Sequence, residues 1–137
     1  MPDTLNHIVL VDDNETTSFL NNRLLSRLAV ARQVSTFMRA DEALDALWGT
    51  AANEHEAPDL VFVDLKMPGL NGFDFLERYT SLPAAQQERT VVAVLTTSMH
   101  STDTARVAKY PNVEYLTKPL TEEKMQRLLA KRFPVEK

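Results

Sequence analysis

Apolar residues fall along this chain in five short runs, separated by stretches with a helical repeat. The runs His7–Val11, Gln33–Phe37, Leu60–Val63, Val91–Leu95 and Val113–Leu116 are rich in β-branched and aromatic residues and predict five strands. The first, third and fourth are almost continuously apolar, the pattern of strands covered on both faces. Between the runs the spacing changes to that of helices. Leu20, Leu24 and Leu28 share one helix face with Phe19 beside them. Ala43, Leu44, Leu47 and Trp48 make a second stripe, and Phe73 and Leu76 begin a third. A fourth, weakly apolar helix is expected over about Ser101–Lys109. Met125, Leu128 and Leu129 mark a fifth, with Thr121 as its N-cap. Thr50–Ala57 and Pro83–Thr90 read as surface connections.

Strand and helix therefore alternate five times, which predicts an α/β domain with an open parallel sheet and helices on both faces. Its length fits one domain over residues 1–137, with a core from about residue 7 to 132. Composition narrows the chemistry. A net charge of −4 with scattered Lys and Arg gives no nucleic-acid footprint. The absence of cysteine excludes disulfides, thiolate catalysis and Cys-type zinc sites. The N-terminal residues lack the pattern of a signal peptide, and no apolar run is long enough to span a bilayer, so a cytoplasmic setting without membrane partners is expected.

In an open parallel sheet, ligands bind beyond the carboxyl ends of the strands. Asp12 and Asp13 follow the first apolar run, Asp64 the third, Thr96 with Thr97 and Ser98 the fourth, and Lys118-Pro119 the fifth. Three carboxylates in one pocket repel unless they are protonated, widely spaced or neutralised by a cation. A hard divalent ion such as Mg²⁺ suits oxygen ligands of this kind. Lys118 adds a point charge and Thr96 a hydroxyl donor. Together they could stabilise a phosphoryl group in transfer, with a carboxylate as its acceptor.

Taken singly, each feature has a plainer explanation. Asp12-Asp13 could cap the next helix, in competition with Asn14, Glu15 and Thr16, and Asp64 could serve the turn at Met67-Pro68-Gly69. Thr96 could reflect strand propensity, Lys118 an exposed loop, and Tyr115 a half-buried strand aromatic. Gly69 and Gly72 read as turn and helix-entry residues. His7, His55 and His100 lack metal-ligand spacing and read as surface or edge residues. It is the joint occurrence at four strand ends that favours a shared site.

Four segments in order carry a resemblance to a known family: Val11-Asp-Asp-Asn14, Asp59-Leu-Val-Phe-Val-Asp64 continuing to Pro68 and Gly72, Val94-Leu-Thr-Thr-Ser98, and Tyr115-Leu-Thr-Lys-Pro119. From Ile8 to about Arg132 the chain resembles the receiver domain of two-component response regulators, in its stand-alone form. The resemblance implies a flavodoxin-like sheet of strand order 2-1-3-4-5 with five helices. It implies a phosphorylation switch in which Asp64 is the phosphoacceptor and Asp12, Asp13, Asp64 and the backbone carbonyl of Lys66 hold Mg²⁺. Thr96 would bond the phosphoryl oxygen, Lys118 would bridge phosphate and an acidic group, and Tyr115 would follow Thr96 as a rotameric switch. A Lys118–Pro119 bond is often cis in this family. The face formed by the fourth helix, fifth strand and fifth helix would change shape. The only chemistry implied is self-phosphorylation and slow dephosphorylation, not turnover of another substrate.

The implied donor is a sensor histidine kinase, of phytochrome or hybrid type, or a phosphotransfer protein. It would dock on the first helix through Thr16, Thr17, Phe19 and Leu20. Output would pass to another protein or to a homodimer. The chain departs from the family in Ala108-Lys-Tyr-Pro-Asn112, which replaces a glycine-containing turn and predicts a fourth helix ending before Pro111. Lys66 and Ser98, two residues past Asp64 and Thr96, are expected to give slow self-dephosphorylation. A phosphatase with an aspartyl nucleophile would place a second Asp where Lys66 stands. A flavin module would need a phosphate-cradling loop in place of Asp12-Asp13. A receiver used only for binding would usually lack part of the acidic set or the Lys.

Overall fold

A computed structural model describes residues 5–48, 57–65, 71–97, 101–110 and 113–133. Strands β1 (Leu5–Val11), β2 (Ala31–Phe37), β3 (Leu60–Val63), β4 (Val91–Thr96) and β5 (Val113–Thr117) pair in parallel in the order β2-β1-β3-β4-β5. The five predicted strands are all present, extended to Leu5, Ala31, Thr96 and Thr117. Central β3 and β4 are buried throughout, whereas the edge strands β2 and β5 are only partly covered.

Side chains alternate across the sheet and so divide the core in two. Val9, Val11, Val61, Val63, Val92 and Val94 face α2 (Ala40–Trp48), α3 (Gly72–Thr80) and Val107 of α5 (Ser101–Val107). Ile8, Leu10, Leu60, Phe62, Ala93 and Leu95 face α1 (Glu15–Leu28) and α6 (Glu122–Arg132). Local chemistry sets the helix ends. Thr121 caps α6 by accepting from Lys124 N, as its sequence predicts, and Asn71 and Asp74 form a reciprocal capping box at α3. α5 stops at Val107, earlier than expected. The turn that follows is closed by Lys109 N to Arg106 O and Tyr110 N to Val107 O.

Three expectations need correction. The described residues hold six helices rather than five, because Pro83–Thr90 contains α4 (Ala84–Arg89). Its residues are good helix formers after a proline, so a local signal existed. What holds it is tertiary: the buried Tyr79 hydroxyl donates to the Gln87 and Thr90 carbonyls, and the Gln87 amide donates to the carbonyls of Thr80 and Leu82. The predicted fourth and fifth helices are thus α5 and α6.

Secondly, the Leu20–Leu24–Leu28 stripe of α1 is only partly inward: Leu24 and Leu28 pack half-buried against the core, but Leu20 does not. The helix buries Ser18, Asn21 and Leu25. At roughly 100° per residue, Leu24 and Leu28 flank the Asn21 direction, Leu20 lies about 100° away and Phe19 is nearly opposite. Phe19 and Leu20 are accordingly 63% and 55% exposed.

Thirdly, His7 is not a surface or edge residue. It lies in β1, between β2 and β3, half-buried with Nε2 2.8 Å from Ser35 Oγ. Burial, opposed by the Asp59 charge, lowers its pKa. His55 and His100 lie outside the described residues.

Candidate functional site

The sheet carries its hydrogen-bond ladder one residue past the strands and so brings their polar ends together. Asp12 N donates to Phe37 O at 3.1 Å, Asp64 N to Val11 O at 3.0 Å, and Lys118 N to Thr96 O at 2.9 Å. The backbones of Asp12, Asp64 and Lys118 are thereby tied to neighbouring strands before any side-chain contact is made. Asp12 and Asp64 are buried, at 5% and 8% exposure. Asp13 is exposed, yet one carboxylate oxygen from each of Asp12, Asp13 and Asp64 lies within 4.8 Å of the others.

The capping explanation for the acidic pair does not hold. Asn14 is the N-cap of α1, its side chain accepting from Thr17 N. Asp12 Oδ1 accepts from Asn14 N at 2.8 Å, which orients the carboxylate without committing it to the helix. Its other oxygen, Oδ2, accepts from Lys118 Nζ at 2.6 Å, and the same ammonium lies 3.1 Å from Asp64 Oδ2. Burial pulls the Lys118 pKa down, but the hydrogen bonds and charges of Asp12 and Asp64 outweigh it and leave it raised. Lys118 is therefore a fixed cation at neutral pH. The Lys118–Pro119 peptide is cis.

Thr96 ends β4 and is completely buried. Thr96 pairs with Thr117, and Val94 with Tyr115. Tyr115 packs half-buried against the core beneath α3 and α5, the face to which Val94 also belongs. Residues two apart on a strand share a face, so Thr96 and Tyr115 lie on the same side of adjacent strands. Gly72 meets its expectation as a helix-entry residue, since α3 starts against the Asp64–Leu65 backbone with Gly72 N donating to Leu65 O. Lys66, Gly69 and Ser98 lie outside the described residues. Ser18 and Asn21 are polar residues near the site that sequence reasoning passed over. Their only signal was a polar i, i+3 pair on the helix side opposite Phe19.

The response regulator receiver domain family matches residues 8–130. The chain belongs to that family. It is similar to protein PilH of Pseudomonas aeruginosa, with 31% identity over 122 residues, 89% of this chain and 93% of PilH. Its structure resembles a response regulator receiver protein from Dyadobacter fermentans, at 29% identity and a TM-score of 0.81, covering 94% and 98% of the two chains. It also resembles the phosphorylated cyanobacterial phytochrome response regulator RcpA, at 26% identity and a TM-score of 0.71, covering 92% and 89%. The strand order matches the expected flavodoxin-like arrangement. Receiver domains are signalling modules that bind Mg²⁺ at an acidic pocket and interact with histidine kinases or phosphotransfer proteins. In this receiver, no helix among the described residues is long and apolar enough to cross a membrane.

The donor set fits such an ion. All three side chains offer hard carboxylate oxygens, and their spacing lets three of those oxygens meet one small cation. Lys118 alone provides one positive charge against three negative ones.

Proposed function

We propose that this receiver is a competent phosphorylation switch with Asp64 as phosphoacceptor. The observation that carries the reading is the Lys118 ammonium bridging Asp12 and Asp64 inside a cluster of three carboxylates. A carboxylate oxygen of Asp64 attacks the phosphorus of a phosphohistidine. The new O–P bond forms as the P–N bond breaks, and the electron pair leaves on the imidazole nitrogen, which takes up a proton. Asp12, Asp13, Asp64 and the backbone carbonyl of Lys66 would hold Mg²⁺, which when bound neutralises charge on the transferring phosphoryl oxygens. Lys118 exchanges its contact with the Asp64 carboxylate for one with the phosphoryl group and keeps Asp12. The Thr96 hydroxyl bonds a phosphoryl oxygen, and Tyr115 repacks on the same sheet face. The surface of α5, β5 and α6 then shifts its population and transmits the signal to a partner protein or a second copy. Slow loss of the phosphoryl group, expected from Lys66 and Ser98, belongs to the same reading.

For the donor, the exposed Phe19 and Leu20 on α1, with Thr16 and Thr17, offer a docking face for the helices of a histidine kinase or phosphotransfer protein. The likeness to RcpA supports a phytochrome-type kinase among the candidates. The test is incubation with acetyl phosphate and Mg²⁺ followed by intact-mass measurement. One phosphoryl group is expected on the wild type and none on Asp64→Ala. No Asp64-dependent gain of mass would leave a receiver that only binds partners, and multiple turnovers of a phosphate ester would point to a phosphatase.

A further inference from the structure

Lys124 is the third residue of α6, and its backbone N–H donates to the N-cap oxygen Thr121 Oγ1 at 3.2 Å. Thr121-Glu-Glu-Lys124 has the spacing of a capping box, whose last position ordinarily holds Glu or Gln. A cation there also opposes the positive end of the helix dipole. The Lys124 side chain therefore does not serve the start of its own helix. Half-buried, its ammonium donates to the Thr117 carbonyl at 2.6 Å, to the Thr117 hydroxyl at 3.2 Å and to the Pro119 carbonyl at 3.0 Å. These acceptors lie on either side of Lys118. The peptide group joining Thr117 to Lys118 is thus held at both ends, its C=O by Lys124 and its N–H by the Thr96 carbonyl at 2.9 Å. Among the described residues β5 is the edge of the sheet, so the Thr117 carbonyl, which points away from β4, has no strand to bond.

We propose that Lys124 is a positioning residue for Lys118, clamping the chain on both sides of it so that the Lys118 ammonium stands between Asp12 and Asp64. A lysine stem is flexible, and contacts of 2.6 and 3.1 Å to carboxylates on two other strands require its backbone to be fixed. Asp12 and Asp64 follow β1 and β3, which have a neighbouring strand on each side. Lys118 follows β5, which the ladder restrains from β4 alone. Lys124 supplies the missing restraint from the open side of the sheet. Its bonds are charge-assisted, and so stronger than the neutral bonds a further strand would give. None of its partners belongs to the acidic cluster. The clamp therefore persists when Lys118 exchanges the Asp64 carboxylate for the phosphoryl group.

The inference rests on the phosphorylation reading of Asp64, and its test separates the two. Initial rates of phosphorylation by acetyl phosphate with Mg²⁺ are measured by intact mass for the wild type, Lys124→Met, Lys118→Met and the double variant. Lys124→Met keeps the apolar stem and removes the ammonium's bonds. Misplacing a catalytic group by about 1 Å costs about 100-fold in rate. Lys118 keeps its own contacts with the carboxylates, so Lys124→Met is expected to react about 10-fold more slowly. In the Lys118→Met background the same change is expected to alter the rate by less than about 2-fold, because a residue that acts through another has no effect once that other is gone. Equal slowing in both backgrounds, or an unchanged rate in Lys124→Met, would overturn the proposal and leave the pocket reading intact. A wild type that gains no Asp64-dependent phosphoryl group would overturn both. If Lys118→Met reacts too slowly to compare, nuclear magnetic resonance decides. The two ε-methylene protons of Lys118 are expected to be inequivalent in the wild type and averaged in Lys124→Met. Averaged protons in the wild type, or inequivalence that survives the substitution, would overturn the proposal. If Lys124→Met does not fold, Lys124→Gln takes its place with the same expected outcomes, since Gln completes the capping box.

Discussion

Gly72 stands directly against Asp64: a β-carbon on Gly72 would lie 2.5 Å from the Asp64 carbonyl oxygen and 2.6 Å from the Leu65 α-carbon. Both atoms are backbone and cannot swing aside. The start of α3 is thus seated on the strand end that carries the proposed phosphoacceptor. Gly72→Ala must push α3 or the Asp64 backbone away. Overpacking of this kind costs about 1–3 kcal/mol. Urea denaturation should show that loss, and phosphorylation by acetyl phosphate should slow. Wild-type values for both would show that the approach is not a constraint.

Lys118 compensates two carboxylates at once, so its removal leaves two buried anions. Breaking a fully buried ion pair costs about 3–5 kcal/mol. These groups retain some solvent contact, with side-chain exposures of 14%, 7% and 11% for Lys118, Asp12 and Asp64, so about 2 kcal/mol is expected for Lys118→Met. Mg²⁺ should restore more stability to this variant than it adds to the wild type, because it then supplies the missing positive charge. Equal gains in melting temperature would argue against a shared pocket.

Phe19 and Leu20 point away from the core, so substituting them separates docking from folding. Phe19→Ala with Leu20→Ala should leave the melting temperature within a few degrees, since exposed side chains contribute little to the core. Phosphorylation by acetyl phosphate should be unchanged. Transfer from a phosphorylated histidine kinase should fall about tenfold or more, as loss of an apolar contact patch does. Equal transfer to both proteins would place the docking face elsewhere.

Glu114 on β5 accepts from Lys131 and Arg132 of α6 at 2.9 and 2.7 Å. Burial raises its pKa, but the hydrogen bonds and charges of these two cations outweigh it, and the net shift is downward from 4.5. A depressed carboxylate contributes stability that is complete above the unfolded-state value. That stability is lost as pH falls through the folded-state value. Glu114→Gln should therefore destabilise the protein at neutral pH by about 1 kcal/mol, a modest figure because Lys131 is mostly exposed. The difference from the wild type should shrink below about pH 4.5, where the unfolded-state carboxylate takes up its proton while the native one is still held ionised. A difference that stays constant down to pH 3 would rule out this linkage.

The strands and the polar residues that end them were legible because both are local. A run of apolar residues buried on both faces has no polar position until the chain leaves the sheet, so Asp12, Asp64 and Lys118 mark where it leaves. Thr96 was legible as a polar position but not as one completely buried. α1 was misread in part: Leu24 and Leu28 of the regular stripe pack half-buried against the core, yet the helix sits rotated on the sheet with Leu20 outward and Ser18, Asn21 and Leu25 inward. α4 was missed because Tyr79, Gln87 and Thr90 close it through bonds that no repeat in the sequence announces.

By itself, the sequence of this receiver determined the alternation of strands and helices and the identity of the charged groups at the strand ends. Those follow from side-chain periodicity and from the cost of burying a charge within an apolar strand. Only the tertiary structure decided how these groups meet. Lys118 reaches Asp12 across 106 residues and Asp64 across 54. That meeting, like the turning of Asn21 toward the same pocket, depends on strand order and helix rotation. Both are set by packing over the whole sheet, and no local stretch of residues encodes them.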